Sequence, residues 1–304
     1  MTAGAVLFTF WTVTALARKF VFRDGNYTTG RIITVIGAGV IAATCATFLD
    51  SQWFSAVEGE VYATSQFFQS LIFWIIMKWD ADDSPAADHW LVLIAYMTGV
   101  SIGVHLLSLL ALPAIAIVFY YKKFKTPTII GWIASAGIGF LLLGMYMKYI
   151  ISFTLSYLAY MDLYFVNTLG FGFDSGVLFG AILIIIVLAV VLRYTQTGSE
   201  LDFKIAMGVC IFYVLIGFVI GDTKASFIRI LYPVGLWASR KYGYETRRYF
   251  NLAVLSIAFS YIGYTSYLMV PIRAIANPPI NMNRPLDPFS LKGYVDRDQY
   301  GDRP

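Results

Sequence analysis

Gly176-Val-Leu-Phe-Gly-Ala-Ile-Leu-Ile-Ile-Ile-Val-Leu-Ala-Val-Val-Leu, residues 176–192, contains no polar side chain and ends at Arg193. At about 1.5 Å of rise per residue, this run with its flanks reaches across a hydrocarbon layer of about 30 Å. It is apolar on every side, so burying one face against a soluble core would leave the rest exposed. Further apolar runs lie at 1–17, 32–48, 61–77, 90–121, 128–147, 205–221, 227–239 and 252–270. Of 304 residues, 59% are hydrophobic and 13% charged, about half the charged share usual in soluble domains. The chain is expected to be all-α, a polytopic transmembrane helical bundle.

Run 90–121 is too long for one crossing. As a single helix it would reach roughly 48 Å, so it is expected to fold back near Gly103 and His105 as two short spans. The total is then about ten spans. Run 227–239 is the shortest and contains Arg229 and Pro233. If it is re-entrant, everything after it changes side.

Basic residues set the orientation. Arg18, Lys19, Arg23 and Arg31, then Lys122, Lys123 and Lys125, then Arg193 and Lys204, then Arg240, Lys241, Arg247 and Arg248 all fall on one side. The positive-inside bias makes that side cytoplasmic. Residues 49–60, the His105 turn, the connections 148–174 and 222–226, and the tail from Pro271 face the other way. The formal net charge of +4 is thus a topology signal and not a nucleic-acid footprint. Residues 1–270 are expected to form the membrane domain and 271–304 to begin an outer segment. That tail, dense in Pro and Asn, should run as an ordered extended loop before a helix resumes. The first run has basic residues after it and none before it, and the tail stops among turn residues, so the chain is expected to be an internal piece of a longer protein.

Chemistry concentrates in the loop 49–62, which holds Asp50, Glu58 and Glu60. One reading is a helix start in the headgroup zone, where the macrodipole favours carboxylates and Trp53 and Phe54 act as interfacial anchors. The other is that Glu60, just inside the apolar boundary, faces the bundle. A charge there costs about 2.5–3.5 kcal/mol on insertion scales and is normally paired or wetted. His105 is expected either to pack and hydrogen-bond locally or to contact substrate. Gly99 and Gly103 have the small-xxx-small spacing of a close helix approach. His89 and His105 fall on opposite sides, so no metal centre is expected from them, and Cys45 and Cys210 each read as small hydrophobes inside apolar runs. Lys224, Arg229 and Arg273 lie near the outer boundary, where basic residues usually meet lipid headgroups. No Walker A, dinucleotide-binding, nucleophile-elbow or zinc-protease motif occurs.

Three stretches go further: Trp53-Phe-Ser-Ala-Val-Glu-Gly-Glu-Val-Tyr-Ala; Trp90-Leu-Val-Leu-Ile-Ala-Tyr-Met-Thr-Gly-Val-Ser-Ile-Gly-Val-His-Leu-Leu; and Asn277-Pro-Pro-Ile-Asn-Met-Asn with Arg297-Asp-Gln-Tyr-Gly-Asp-Arg-Pro. With them the chain resembles a bacterial membrane family related to an animal transmembrane protein O-mannosyltransferase that acts on plexin-type receptors. The resemblance implies a GT-C glycosyltransferase architecture in the bacterial inner membrane. It also implies transfer of a sugar, mannose by the resemblance, from a polyprenyl-phosphate donor to Ser or Thr of secreted proteins on the outer face. The implied partners are membrane lipid, the polyprenyl-phosphate sugar and a secreted acceptor, with no nucleic acid and no firm cofactor. By matching position, Glu58 and Glu60 carry over as the implied catalytic residues and His105, Arg273 and Asn277 as implied substrate contacts, and Asp50 of the same acidic loop is expected to join those contacts. The family's main catalytic carboxylate lies in a first outer loop followed by a Gly-His-Pro-Pro-Gly-like segment. Neither feature occurs here, so the fragment alone is expected to transfer no sugar. A transporter or a non-catalytic assembly subunit is the alternative, using the same charges as a substrate path.

Overall fold

The computed structural model describes residues 1–59, 61–124 and 126–301, and these residues are helical with no strand. Two compact units make up the chain. The first comprises Met1–Gly144 with Phe259–Tyr267, and the second Met145–Ala258 with Leu268–Pro304.

In the first unit, α1 (Thr2–Val21), α2 (Thr29–Thr47), α3 (Asp50–Val57) and α4 (Tyr62–Ala81) precede α5 (His89–Ile102), a 3₁₀ segment (Leu106–Ala111) and α6 (Leu112–Lys123). Helix α7 (Ile129–Met145) then carries the chain out of it. Helix α2 begins where Thr28 accepts the Arg31 N–H, satisfying one of the orphan donors at a helix start. The core gathers around α4: Ile72, Ile75, Ile76, Met77 and Trp79 are buried with Ile94 and Ala111. Trp79 stacks on Phe119 with ring centroids 5.5 Å apart. The Lys122 ammonium donates to the carbonyls of Trp79, Asp80 and Asp82, closing the carbonyl end of α4 that a helix leaves unsatisfied.

The break expected in run 90–121 is present. Helix α5 stops at Ile102, His105 is extended (φ −166°, ψ 149°), and Pro113 opens α6. The Gly99 approach is also present, and its counterpart comes from far along the chain. A Cβ on Gly99 would overlap the Ser260 carbonyl oxygen, and one on Gly263 would overlap the Tyr96 carbonyl oxygen. Ser260 Oγ donates to the Ala95 carbonyl at 3.3 Å and Ser266 Oγ to that of Val100 at 3.2 Å. Residues 259–267 thus lie directly on α5.

The second unit opens with a π-helical stretch (Tyr146–Phe153) and α8 (Thr154–Asn167), so residues 148–167 are helical where the sequence suggested only a connection. Then come α9 (Ser175–Thr197), α10 (Glu200–Val219), α11 (Thr223–Arg229), α12 (Leu231–Lys241), α13 (Tyr244–Tyr264), α14 (Met269–Ile275) and α15 (Pro288–Asp296). Gly176 sits against the backbone of Met161 and Asp162, and its N–H donates to Asp162 Oδ1 at 3.0 Å, seating α9 on α8. Residues 277–287 contain no helix, and α15 resumes with a capping box in which Asp287 and Ser290 satisfy each other's backbone. Helix α15 lies on α8 and the π-helical stretch: Phe289 meets Tyr160 edge-on, and Ser152 Oγ donates to Asp296 at 3.3 Å.

Among the described residues, 7 helical stretches are long and apolar enough to cross a membrane: Thr2–Val21, Thr29–Thr47, Leu106–Lys123, Ile129–Asn167, Ser175–Thr197, Glu200–Val219 and Tyr244–Ile275. The three remaining runs of the ten are α4, α5 and α11–α12. Helix α4 has the length but carries Gln66, Gln69, Lys78 and Asp80, while α5 has 14 residues and α12 has 11. Run 227–239 is broken at Ile230, between α11 and α12.

Candidate functional site

Helix α3 presents the acidic loop. Asp50 is its first residue, in the favourable field of the N-terminus. Glu58 follows its last turn in extended conformation (φ −74°, ψ 139°), its N–H donating to the Phe54 carbonyl at 3.0 Å. Both carboxylates are exposed, as are Trp53, Phe54 and Val57. Ser55 is the buried residue of α3, and Gln66 of α4 reaches its hydroxyl at 3.5 Å. The helix thus leaves Trp53, Phe54 and Val57 uncovered and is fastened to α4 along the Ser55 seam. Glu60 lies outside the described residues.

His105 is held beside the start of α4. Its ring centroid is 5.5 Å from that of Tyr62, the first residue of α4. Its Nδ1 accepts the Leu107 N–H at 3.1 Å, capping the 3₁₀ segment. Because Nδ1 is an acceptor, the neutral ring carries its proton on Nε2. His105 therefore offers a hydrogen-bond donor at a fixed place, and its remaining lone pair is engaged by the backbone. That suits a group that orients or stabilises an oxyanion better than one that takes up a proton. His89 is at the other end of α5, roughly 20 Å away along the helix.

Of the residues predicted from sequence, the first unit brings α3, which carries Asp50 and leads into Glu58, and His105 each against the first turns of α4. Arg273 and Asn277 belong to the second unit. Arg273 is exposed in the last turn of α14, and Asn277 is exposed in a left-handed conformation (φ 48°), its N–H donating to the Ala274 carbonyl at 3.0 Å.

Arg229 requires a correction. It is no headgroup contact, because it is 1% exposed. Its Nη2 donates to Asp222 Oδ2 at 2.5 Å and its Nη1 to Ser226 Oγ at 3.2 Å, while its guanidinium lies 4.3 Å from the Tyr157 ring and 4.9 Å from that of Tyr213. Charge pairing and two aromatic faces compensate its burial. The signal was present in the sequence: Asp222, Ser226 and Arg229 are spaced at i, i+4 and i+7, one face of a helix. Lys224, off that face, is exposed.

No curated protein and no solved structure matches the chain. Residues 1–128 hold α1 to α6, and with them Asp50, Glu58, Glu60 and His105. They match the family model described as the protein O-mannosyl-transferase TMEM260 N-terminal domain, so the relation to the animal protein O-mannosyltransferase that the resemblance implied is shown for this part of the chain.

Proposed function

We propose that this membrane protein serves protein O-glycosylation, moving a sugar, mannose by its family relation, from a polyprenyl-phosphate donor to a Ser or Thr hydroxyl of a secreted protein. The observation that carries the proposal is the place of Glu58: within the family-matched residues, it follows α3, with its exposed Trp53 and Phe54, and precedes α4, whose first residue packs on His105. A lipid-borne donor has its reacting carbon at the headgroup level, where α3 with its exposed Trp53 and Phe54 belongs.

The acceptor oxygen attacks the anomeric carbon, and the bond from that carbon to the phosphate oxygen breaks. The electron pair leaves with the polyprenyl phosphate, and the hydroxyl proton passes to a carboxylate. Glu60 is assigned to accept or position that proton, with Glu58 and Asp50 nearer water. His105 Nε2–H stabilises charge growing on the departing phosphate.

The test is transfer of labelled mannose from a polyprenyl phosphate to a Ser/Thr peptide by the full-length protein in its native membrane, since the fragment alone is expected to transfer none. Glu60→Gln should lower turnover about 10²-fold with melting temperature unchanged, and Glu58→Gln should lower it less. Full turnover in Glu60→Gln removes that residue from the site. If instead either change costs about 0.3–1 kcal/mol of stability and leaves turnover alone, the loop is only a helix start.

A further inference from the structure

The second unit gathers basic residues at the turn between α12 and α13 and at the facing turn between α9 and α10. Several are neutralised in place: Arg193 Nε is 2.9 Å from Asp202, Lys204 3.7 Å from Glu200, and Arg240 2.9 Å from the same Glu200. Lys241 and Arg247 differ, for among the described residues neither has a carboxylate partner. The Lys241 ammonium sits 4.7 Å from the Trp237 ring and 5.4 Å from that of Tyr242, and the Arg247 guanidinium 5.8 Å from the Tyr244 ring. A ring face attracts a cation and accepts none of its N–H bonds in the way an oxygen does. Two cations with donors to spare thus flank one turn, which Gly243 makes possible with φ 85°.

The surface around them is amphipathic. Trp237, Tyr242 and Tyr244 are 50%, 63% and 67% exposed, the exposure of aromatic residues that belong at a headgroup boundary. Leu231, Val234, Trp237 and Lys241 recur every three to four residues along α12, so one exposed apolar stripe leads from the membrane side to the ammonium.

We propose that this turn binds the headgroup of an anionic glycerophospholipid. The N–H donors of Lys241 and Arg247 hold the phosphodiester oxygens, the three aromatic rings flank the glycerol, and the acyl chains lie along Val234 and Leu231. A free anion would use the two charges and leave the apolar stripe uncovered, whereas a lipid uses both. By the positive-inside bias this end faces the cytoplasm, the leaflet where anionic lipid is read by clustered basic residues.

The test uses the purified chain in nanodiscs of phosphatidylcholine containing a minor share of phosphatidylglycerol, with retained lipid counted by native mass spectrometry. Each basic residue near an anionic surface contributes about fivefold, so Lys241→Gln with Arg247→Gln should lower phosphatidylglycerol retention roughly thirtyfold. Lys241→Arg should retain it, and Lys204→Gln, whose charge is already paired, should stay within about twofold. Melting in pure phosphatidylcholine, unchanged in the double variant, shows that the fold survives. Equal retention by the double variant overturns the proposal. So does displacement of the lipid by millimolar inorganic phosphate, which would identify a site for the free anion.

Discussion

The Asp222–Arg229 pair is the residue whose surroundings decide most in the second unit. Arg229→Met removes the partner of a buried carboxylate and should cost about 3–5 kcal/mol, read as a lower melting temperature in detergent. Adding Asp222→Leu should recover most of it, because the lone charge is then gone; no recovery in the double variant would mean that the two residues do not act as a pair. A second group is governed by charge at the surface. The Arg31 guanidinium, hydrogen-bonded to Asp24 at 2.5 Å, together with the Asn26 N–H, holds the Asp24 carboxyl at about 2, below its ordinary 3.8. Its folded value is depressed, so the attraction is complete above about pH 4 and lost as pH falls through about 2. Asp24 should therefore titrate near 2 by carboxyl chemical shift, and Arg31→Gln should return it towards the ordinary range. Exposed charges such as Asp50 and Glu58 were legible in the sequence, because a polar loop between apolar runs has nowhere to go but the surface. Arg229 was misread because one residue's charge was weighed without the carboxylate two turns away on the same face.

At the scale of elements, apolar run length located the helices well, since lipid imposes a minimum that soluble folds do not. What run length missed is what packing decides. Helix α4 carries polar residues and yet lies at the centre of its unit, its Ile72, Ile75 and Ile76 buried by neighbours on several sides. The connection after Met147 continues as a helix, which its many aromatic residues did not announce. Gly99 was read as a point of close approach, but spacing names no partner, and the partner is Gly263. Gly263→Ala should force α5 and residues 259–267 apart and cost about 1–3 kcal/mol, as overpacking does. Gly137→Ala, on a face of α7 where a Cβ meets nothing, should leave the melting temperature unchanged or raise it slightly. Equal effects from the two changes would refute the close contact.

For the whole molecule, the positive-inside bias predicts an orientation that labelling can test. In a Cys45→Ser background, needed because Cys45 is exposed, Gly59→Cys should react with an impermeant thiol reagent applied from outside. Tyr27→Cys, 62% exposed on the other side of α2, should react only after the membrane is opened. Reversed labelling would place the acidic loop in the cytoplasm and end the proposed reaction there. The candidate site itself was legible in its types and only partly in its geometry. The sequence placed Glu58, Asp50 and His105 near one boundary, but the fixed tautomer of His105 depends on the Leu107 N–H, a backbone contact with no residue signature.

The contact between α5 and residues 259–267 also bears on how the protein is made. A ribosome completes α1 to α7 long before it reaches Phe259, because all of 145–258 must be synthesised first. At roughly 5–20 residues per second the delay is on the order of ten seconds. For that time the Gly99 seam of α5 stays open, because the segment that closes on it has not yet been made. The stretch 1–128 that matches the family model is, in biosynthetic terms, a piece that waits for its own distant continuation before its packing is complete.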